Sequence, residues 1–170
     1  MAKQRWGKTT RVKFIGGELL ISLLADKSAI DYQKDLNGVI ARSTDMRPAM
    51  QKIGEYLLGV NLRNFEAEGR PPWEPLKPAT IADRLRKGFG AGPILQRTKT
   101  LFFSLTKRNA PYQIFRARPR SLVLTSTLPY FEIHQKGGAI IPKREMLGYQ
   151  KQDRSQSTRI INNHVKGDVF

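Results

Sequence analysis

Between Pro48 and Phe65, apolar residues recur at three- and four-residue intervals. Met50, Ile53, Leu57 and Val60 form one stripe, and Leu58, Leu62 and Phe65 widen it. That period predicts an amphipathic helix, the main core helix of the fold. Asp45 stands where an N-cap belongs, and Pro48 fits a first turn. Gly54 and Gly59 each cost such a helix up to roughly 1 kcal/mol relative to alanine, which points to close packing against another element.

Three prolines and a glycine in Glu68–Pro75 exclude helix and central strand, so this is a loop around Trp73. Pro78 opens a short helix to about Lys87, closed by Gly88, Gly90 and Gly92. Thr98 caps another, carrying Leu101, Phe102 and Leu105. Tyr112–Ala117 alternates and Ser121–Thr125 is β-branched, with Arg118-Pro119-Arg120 between them. The pattern is a hairpin with a basic tip. A short helix follows over Tyr130–Gln135, ended by Gly137-Gly138. Ile140-Ile141-Pro142 predicts an edge strand, and Asp153–Val165 a last helix.

The N-terminal part is less regular. Residues 1–13 predict a flexible basic arm, and Leu19–Leu24 fits a buried strand or a short helix. Ala25–Arg42 is polar and receives no element. The apolar segment Phe14–Leu24 is interrupted by Gly16, Gly17, Glu18 and Ser22, so it predicts neither a signal peptide nor a membrane span. The fold class expected is α+β: an antiparallel sheet of three to five strands packed on one long helix, with several short helices and extended termini. The divisions expected are an arm and lead-in over 1–45, a domain over 46–148, and a tail or helix over 149–170. Isolated apolar residues near the ends (Trp6, Val12, Phe14, Tyr149 and Phe170) suit docking on a neighbouring subunit.

Charge changes this picture. The 170 residues carry 30 Lys/Arg against 14 Asp/Glu, a net charge of +16. Residues 20–83 hold eight cations and nine acids, whereas residues 84–131 hold ten cations and no acid. A localised excess implies a polyanionic partner, either nucleic acid or an acidic protein surface. Candidate residues facing it are Lys107, Arg108, Arg116, Arg118 and Arg120. Aromatics interleave with them, but Tyr112 and Phe115 lie on opposite faces of one strand, and no helix-turn-helix, zinc-finger or RNA-recognition signature is present. The pattern favours electrostatic proximity to DNA over sequence reading.

Catalytic chemistry finds little support. The chain has no cysteine, which excludes disulfides and thiolate sites. His134 and His164 are thirty residues apart and neither sits in a paired-ligand spacing. Glu132 and His134 do not share a helical face. The glycines at 88, 90 and 92 follow no strand and precede no Gly-Lys-Ser/Thr, so they read as a helix end rather than a phosphate loop. No catalytic, metal or cofactor-binding residue is assigned.

Four blocks in order over Phe65–Gly148 resemble the phage virion morphogenesis, or tail-completion, family of Mu-like phages and prophages. The first is Phe65, Gly69, Pro72-Trp73, Pro75-Leu76, Pro78-Ala79-Thr80-Ile81 and Arg84. The second is Ile94-Leu95, Thr98, Leu101 and Ser104. The third is Pro129-Tyr130-Phe131, Ile133-His134-Gln135 and Gly137-Gly138. The fourth is Ile141-Pro142-Lys143-Arg144 with Met146-Leu147-Gly148. Three positions depart from the family pattern. Lys77 stands where a serine is usual, Lys99 where a glycine follows Thr98, and Met146 replaces a common aromatic.

The resemblance implies a non-enzymatic virion protein at the neck or top of the tail, assembled in the host cytoplasm. It implies a homo-oligomeric ring, six subunits by resemblance, around the DNA path. Its partners would be copies of itself, neighbouring neck and tail proteins and packaged DNA, with no cofactor and no membrane. The alternative is a free basic nucleic-acid-binding protein. Residues expected to carry structure are Trp73, Pro75, Tyr130, His134, Gln135, Gly138, Pro142 and Arg144, with His134 and Gln135 bonding backbone around Gly137-Gly138.

Overall fold

The computed structural model describes the backbone of residues 10–15, 18–23 and 27–168, and side chains from residue 30 to 168. The chain divides into two compact units, Met1–Ala41 and Arg42–Phe170. In the first, β1 (Thr10–Ile15) and β2 (Glu18–Leu23) pair antiparallel, from Thr10 opposite Leu23 to Ile15 opposite Glu18. Helix α1 (Lys27–Thr44) follows. Part of the expected arm is thus a strand, and residues 1–9 lie outside the described residues. The segment over 25–42 that received no element is largely α1. Its helical signal is Tyr32, Leu36, Val39 and Ile40 on one side, all exposed in this structure, so charge outweighed period in the sequence reading.

The second unit is built on α2 (Arg47–Glu66). Its N-cap is Met46, not Asp45, but the Asp45 carboxylate still accepts the Arg47 backbone N–H at 3.0 Å. The helix is buried along two stripes rather than one. Ala49, Ile53 and Val60 line one, and Ile160 of α6 (Lys151–Lys166) closes that cluster with Ala49 and Ile53. Gly54, Leu58, Asn61 and Phe65 line the other, against α4 (Thr100–Thr106) and the ribbon of β3 (Gln113–Arg118) and β4 (Ser121–Ser126). Offsets of four and seven residues make each stripe one face of the helix.

The prolines and glycines punctuate as the pattern expects. Helix α3 (Pro78–Arg86) starts at Pro78, and α5 (Phe131–Lys136) ends at Gly137. Lys77 is the N-cap of α3 and makes no side-chain cap bond, as a residue without a short polar side chain must. Lys99 caps α4 in the left-handed region, φ 58°, a conformation glycine adopts without strain. Gln150 and Asp153 form a reciprocal capping box at the start of α6.

Two expectations are corrected. There is no sheet of three to five strands among the described residues, but two separate two-stranded ribbons, and three helices are long rather than one. The expected edge strand at Ile140–Pro142 is absent. Gly137, at φ 82°, reverses the chain and the Gly138 N–H bonds the Ile141 carbonyl. Residues 144–148 then satisfy backbone groups on side chains instead of a ladder: Gln135 takes the N–H groups of Met146 and Leu147, and Asn64 donates to the carbonyls of Met146 and Gly148. Of the tail or helix expected over 149–170, the structure has the helix, α6, with Asp153, Ile160 and His164 buried.

The two helix glycines differ in kind. A Cβ on Gly54 would sit 2.2 Å from Phe115 Cζ, whereas one on Gly59 would meet only Arg63 Nη1 at 3.8 Å. Both alanine variants gain up to roughly 1 kcal/mol of helix propensity. At Gly54 the overpacking cost of about 1–3 kcal/mol outweighs it. Thermal melts are expected to rise for Gly59→Ala and fall for Gly54→Ala, with Phe115→Leu restoring part of the second loss.

Candidate functional site

Part of the family blocks, including Phe65, Trp73, Arg144 and Met146, converges on one buried clasp. Phe65, fully buried, meets Trp73 edge-on at 5.5 Å between ring centroids and Phe102 at 5.3 Å. Such aromatic pairs add to simple area burial. The loop reaches this position because Gly69, at φ 106°, bonds back to the Asn64 carbonyl and leaves room where a Cβ would lie 2.5 Å from Trp73 Cδ1. Trp73 Nε1 donates to the Glu145 carbonyl at 3.4 Å, and the buried Arg144 guanidinium donates to the Glu74 carbonyl at 3.0 Å. These two bonds, with those of Gln135 and Asn64, stitch the proline loop, α2 and α5 to residues 144–148.

A second part of the clasp is charged. The Asp153 side chain is 1 % exposed. Its Oδ1 accepts the Tyr56 hydroxyl and its Oδ2 the Gln150 backbone N–H, both at 2.9 Å. The guanidiniums of Arg63 and Arg70 each lie 3.8 Å away. Arg70 Nε in turn donates to Asn64 Oδ1 at 2.6 Å. Burial, and then the Asp153 charge, pushes the Tyr149 phenol up to about 12, and the same causes with the hydrogen bond raise Tyr56. Sequence reading missed Tyr56, Asn61, Asn64, Arg70, Arg84 and Asp153. Polar residues on an apolar stripe were the available signal. Arg84 in particular counted toward the basic segment, yet it is buried and donates to the Gly92 and Pro93 carbonyls.

The remaining expected structural residues are placed as follows. His134 accepts the Arg144 N–H on its backbone carbonyl at 2.7 Å, and its ring Nδ1 is buried without a partner. Burial first, and Arg144 second, lowers its pKa. Gln135 bonds residues 146 and 147, not Gly137-Gly138 as expected, because Gly137 packs directly on the Lys143 backbone and turns the chain past it. Tyr130 meets the His134 ring edge-on, Pro142 is half-buried, and Pro75 and Gly138 are exposed.

The basic candidates lie on the outside. Phe115, Ala117, Leu122 and Leu124 form the inner face of the ribbon. Arg116 pairs with Val123 and Arg118 with Ser121 on the outer face, while Arg120 occupies the turn. All three arginines are exposed, and no carboxylate among the described residues lies within ion-pair reach of them. Lys107 sits over the Phe103 ring at 4.1 Å and Arg108 over Phe115 at 3.6 Å, so these two are held against aromatic faces. The Met46 N–H bonds the Pro119 carbonyl and ties the tip to the start of α2.

No group of three or more His, Asp or Glu side chains is placed to hold a metal among the described residues. No helix described is long and apolar enough to cross a membrane. The buried polar groups hold elements together, and the exposed arginines of the hairpin have no carboxylate partner among the described residues. The chain belongs to the phage virion morphogenesis family, whose model matches residues 28–166. That is a family of structural and assembly proteins and makes this a virion-related phage protein. Comparison with curated proteins returned no match, and neither did comparison with solved structures.

Two outcomes are expected. Trp73→Ala should lose ~3–5 kcal/mol of stability, read from denaturant unfolding. Tyr149 is neutral in the fold at pH values where the unfolded phenol ionises. Its contribution is therefore complete below pH ~10 and is lost as pH rises toward 12. Tyr149→Phe should flatten the alkaline fall in melting temperature relative to the parent protein.

Proposed function

We propose that this chain is a non-enzymatic structural component at the head–tail junction of a tailed phage, in the neck, tail-completion or tail-terminator position. It assembles there as a homo-oligomeric ring, of six subunits, around the DNA path. The observation that carries this reading is the outer face of the β3–β4 ribbon. Three exposed arginines without carboxylate partners flank an exposed Val123, beside a core that holds itself together without them. A mixed apolar and guanidinium patch suits a neighbouring protein surface carrying acids.

The ribbon's outer edges are unpaired among the described residues. An unpaired edge accepts a strand from another copy, which would give a contact between subunits. A contact that repeats head to tail about an axis closes into a ring, as a DNA conduit requires.

The test is a reconstruction of purified virions together with a hairpin variant. The protein should be found at low copy number in finished particles, as a ring at the top of the tail. Arg116→Ser, Arg118→Ser and Arg120→Ser combined should leave the melting temperature within a few degrees of the parent, because exposed charges contribute little to stability. Plaque yield should fall at least tenfold. Normal plaque yield from the triple variant would remove the hairpin from the reading, and absence of the protein from virions would favour a free nucleic-acid-binding protein.

A further inference from the structure

Helix α6 separates its charges in a way no other described helix of comparable length does. Its one acid, Asp153, points inward to Tyr56, Arg63 and Arg70. Its four cations, Lys151, Arg154, Arg159 and Lys166, are all exposed. At 100° per residue these positions, with Gln152, Ser155, Thr158 and Asn162, occupy the arc opposite Asp153, Ile160 and His164. None of the four cations has an ion-pair partner among the described residues. On two of the shorter helices exposed cations are matched: Asp83 takes Arg86 and Lys87 on α3, and Glu132 takes Lys136 on α5. The acids bordering the face are Glu55, which lines the groove toward α2 with Lys52 3.9 Å from it, and Asp168 beyond the helix end.

The composition of this face selects the partner. Protein-docking surfaces are anchored by apolar and aromatic side chains at their centre. No large apolar residue of α6 is among the exposed ones, in contrast to the hairpin with Val123. What α6 offers instead is Lys, Arg, Ser, Thr, Asn and Gln, the side chains that contact phosphate and sugar oxygens. The helix is about 24 Å long, and Arg42 donates to the carbonyls of Val165 and Lys166 at its end. We propose that the exposed face of α6 is a nucleic-acid backbone-binding surface, distinct from the basic hairpin. It contacts phosphates without reading sequence.

This inference does not rest on the ring, since an isolated subunit would show it. The experiment is fluorescence anisotropy of a labelled 30-base-pair duplex with the full chain over a salt series. One variant carries Lys151→Gln, Arg154→Gln, Arg159→Gln and Lys166→Gln. A charge-matched control carries Lys107→Gln, Arg116→Gln, Arg118→Gln and Arg120→Gln. The α6 variant should bind at least tenfold more weakly at ~0.15 M salt, with the slope of log K against log salt reduced by about 3–4. The control should lose less than threefold. Equal losses would reduce the effect to net charge and overturn the proposal. A loss confined to the control would overturn it in favour of the hairpin. Binding of polyglutamate more tightly than of the duplex at matched charge would reassign the face to an acidic protein, and failure of the parent chain to bind the duplex would end the idea. A shorter variant, Arg154→Gln with Arg159→Gln, gives the same comparison if the fourfold variant melts early. If the α6 variant loses DNA while the chain is absent from virions, the surface stands and the head–tail reading falls.

Discussion

A carboxylate buried to 1 % exposure has to be matched, and the way Asp153 is matched organises the second unit of this protein. A buried charge costs several kcal/mol unless hydrogen bonds and counter-charges surround it. Tyr56 and Arg63 come from α2, Arg70 from the loop after it, and the Gln150 N–H from the cap of α6 itself. The Asp153 carboxylate is therefore matched only where these three segments meet. Arg70 passes the constraint to Asn64, and Asn64 passes it to the carbonyls of residues 146 and 148. The apolar clusters on either side of α2 supply the driving force. The polar chain decides which arrangement of those clusters is the folded one.

This division of labour explains why the family blocks and the basic residues do not overlap in space. Phe65, Gly69, Trp73, Gln135, Arg144 and Met146 face inward and hold one another. Arg116, Arg118 and Arg120 face outward and hold nothing among the described residues. Arg84 and Arg144 are exceptions within the basic count, because guanidiniums with several fixed donors also serve as internal braces for backbone carbonyls. Net charge alone overstated how much cation the surface carries.

Much of the fold was legible because its signals are local. The three-four spacing over Pro48–Phe65, the prolines at 78 and 129 and the tip Arg118-Pro119-Arg120 all mark elements within a residue or two of those observed. What was illegible depends on partners distant in sequence. The run at Ile140–Pro142 is β-like in composition, but Gln135 and Asn64 claim the backbone that follows it, so no ladder forms. α1 was hidden by its charges. The clasp was hidden because a buried Asp or Asn is indistinguishable in sequence from a solvated one until its partners are known. The outward basic hairpin was visible at once, since alternation and turn chemistry place it without long-range information.

The hydrogen bond from the Met46 N–H to the Pro119 carbonyl fastens the turn of the hairpin to the start of the longest helix. Pro119 has no N–H of its own and a fixed φ, so the turn is stiff before it is fastened. A two-stranded ribbon left to itself is marginally stable and samples many shapes. Here the ordering of the tip has been completed during folding. The backbone that carries Arg116, Arg118 and Arg120 is thus already in position, so a contact of the kind proposed for them would cost little conformational entropy there. For the junction role proposed above, that preorganisation favours fast, rigid docking over adaptive recognition.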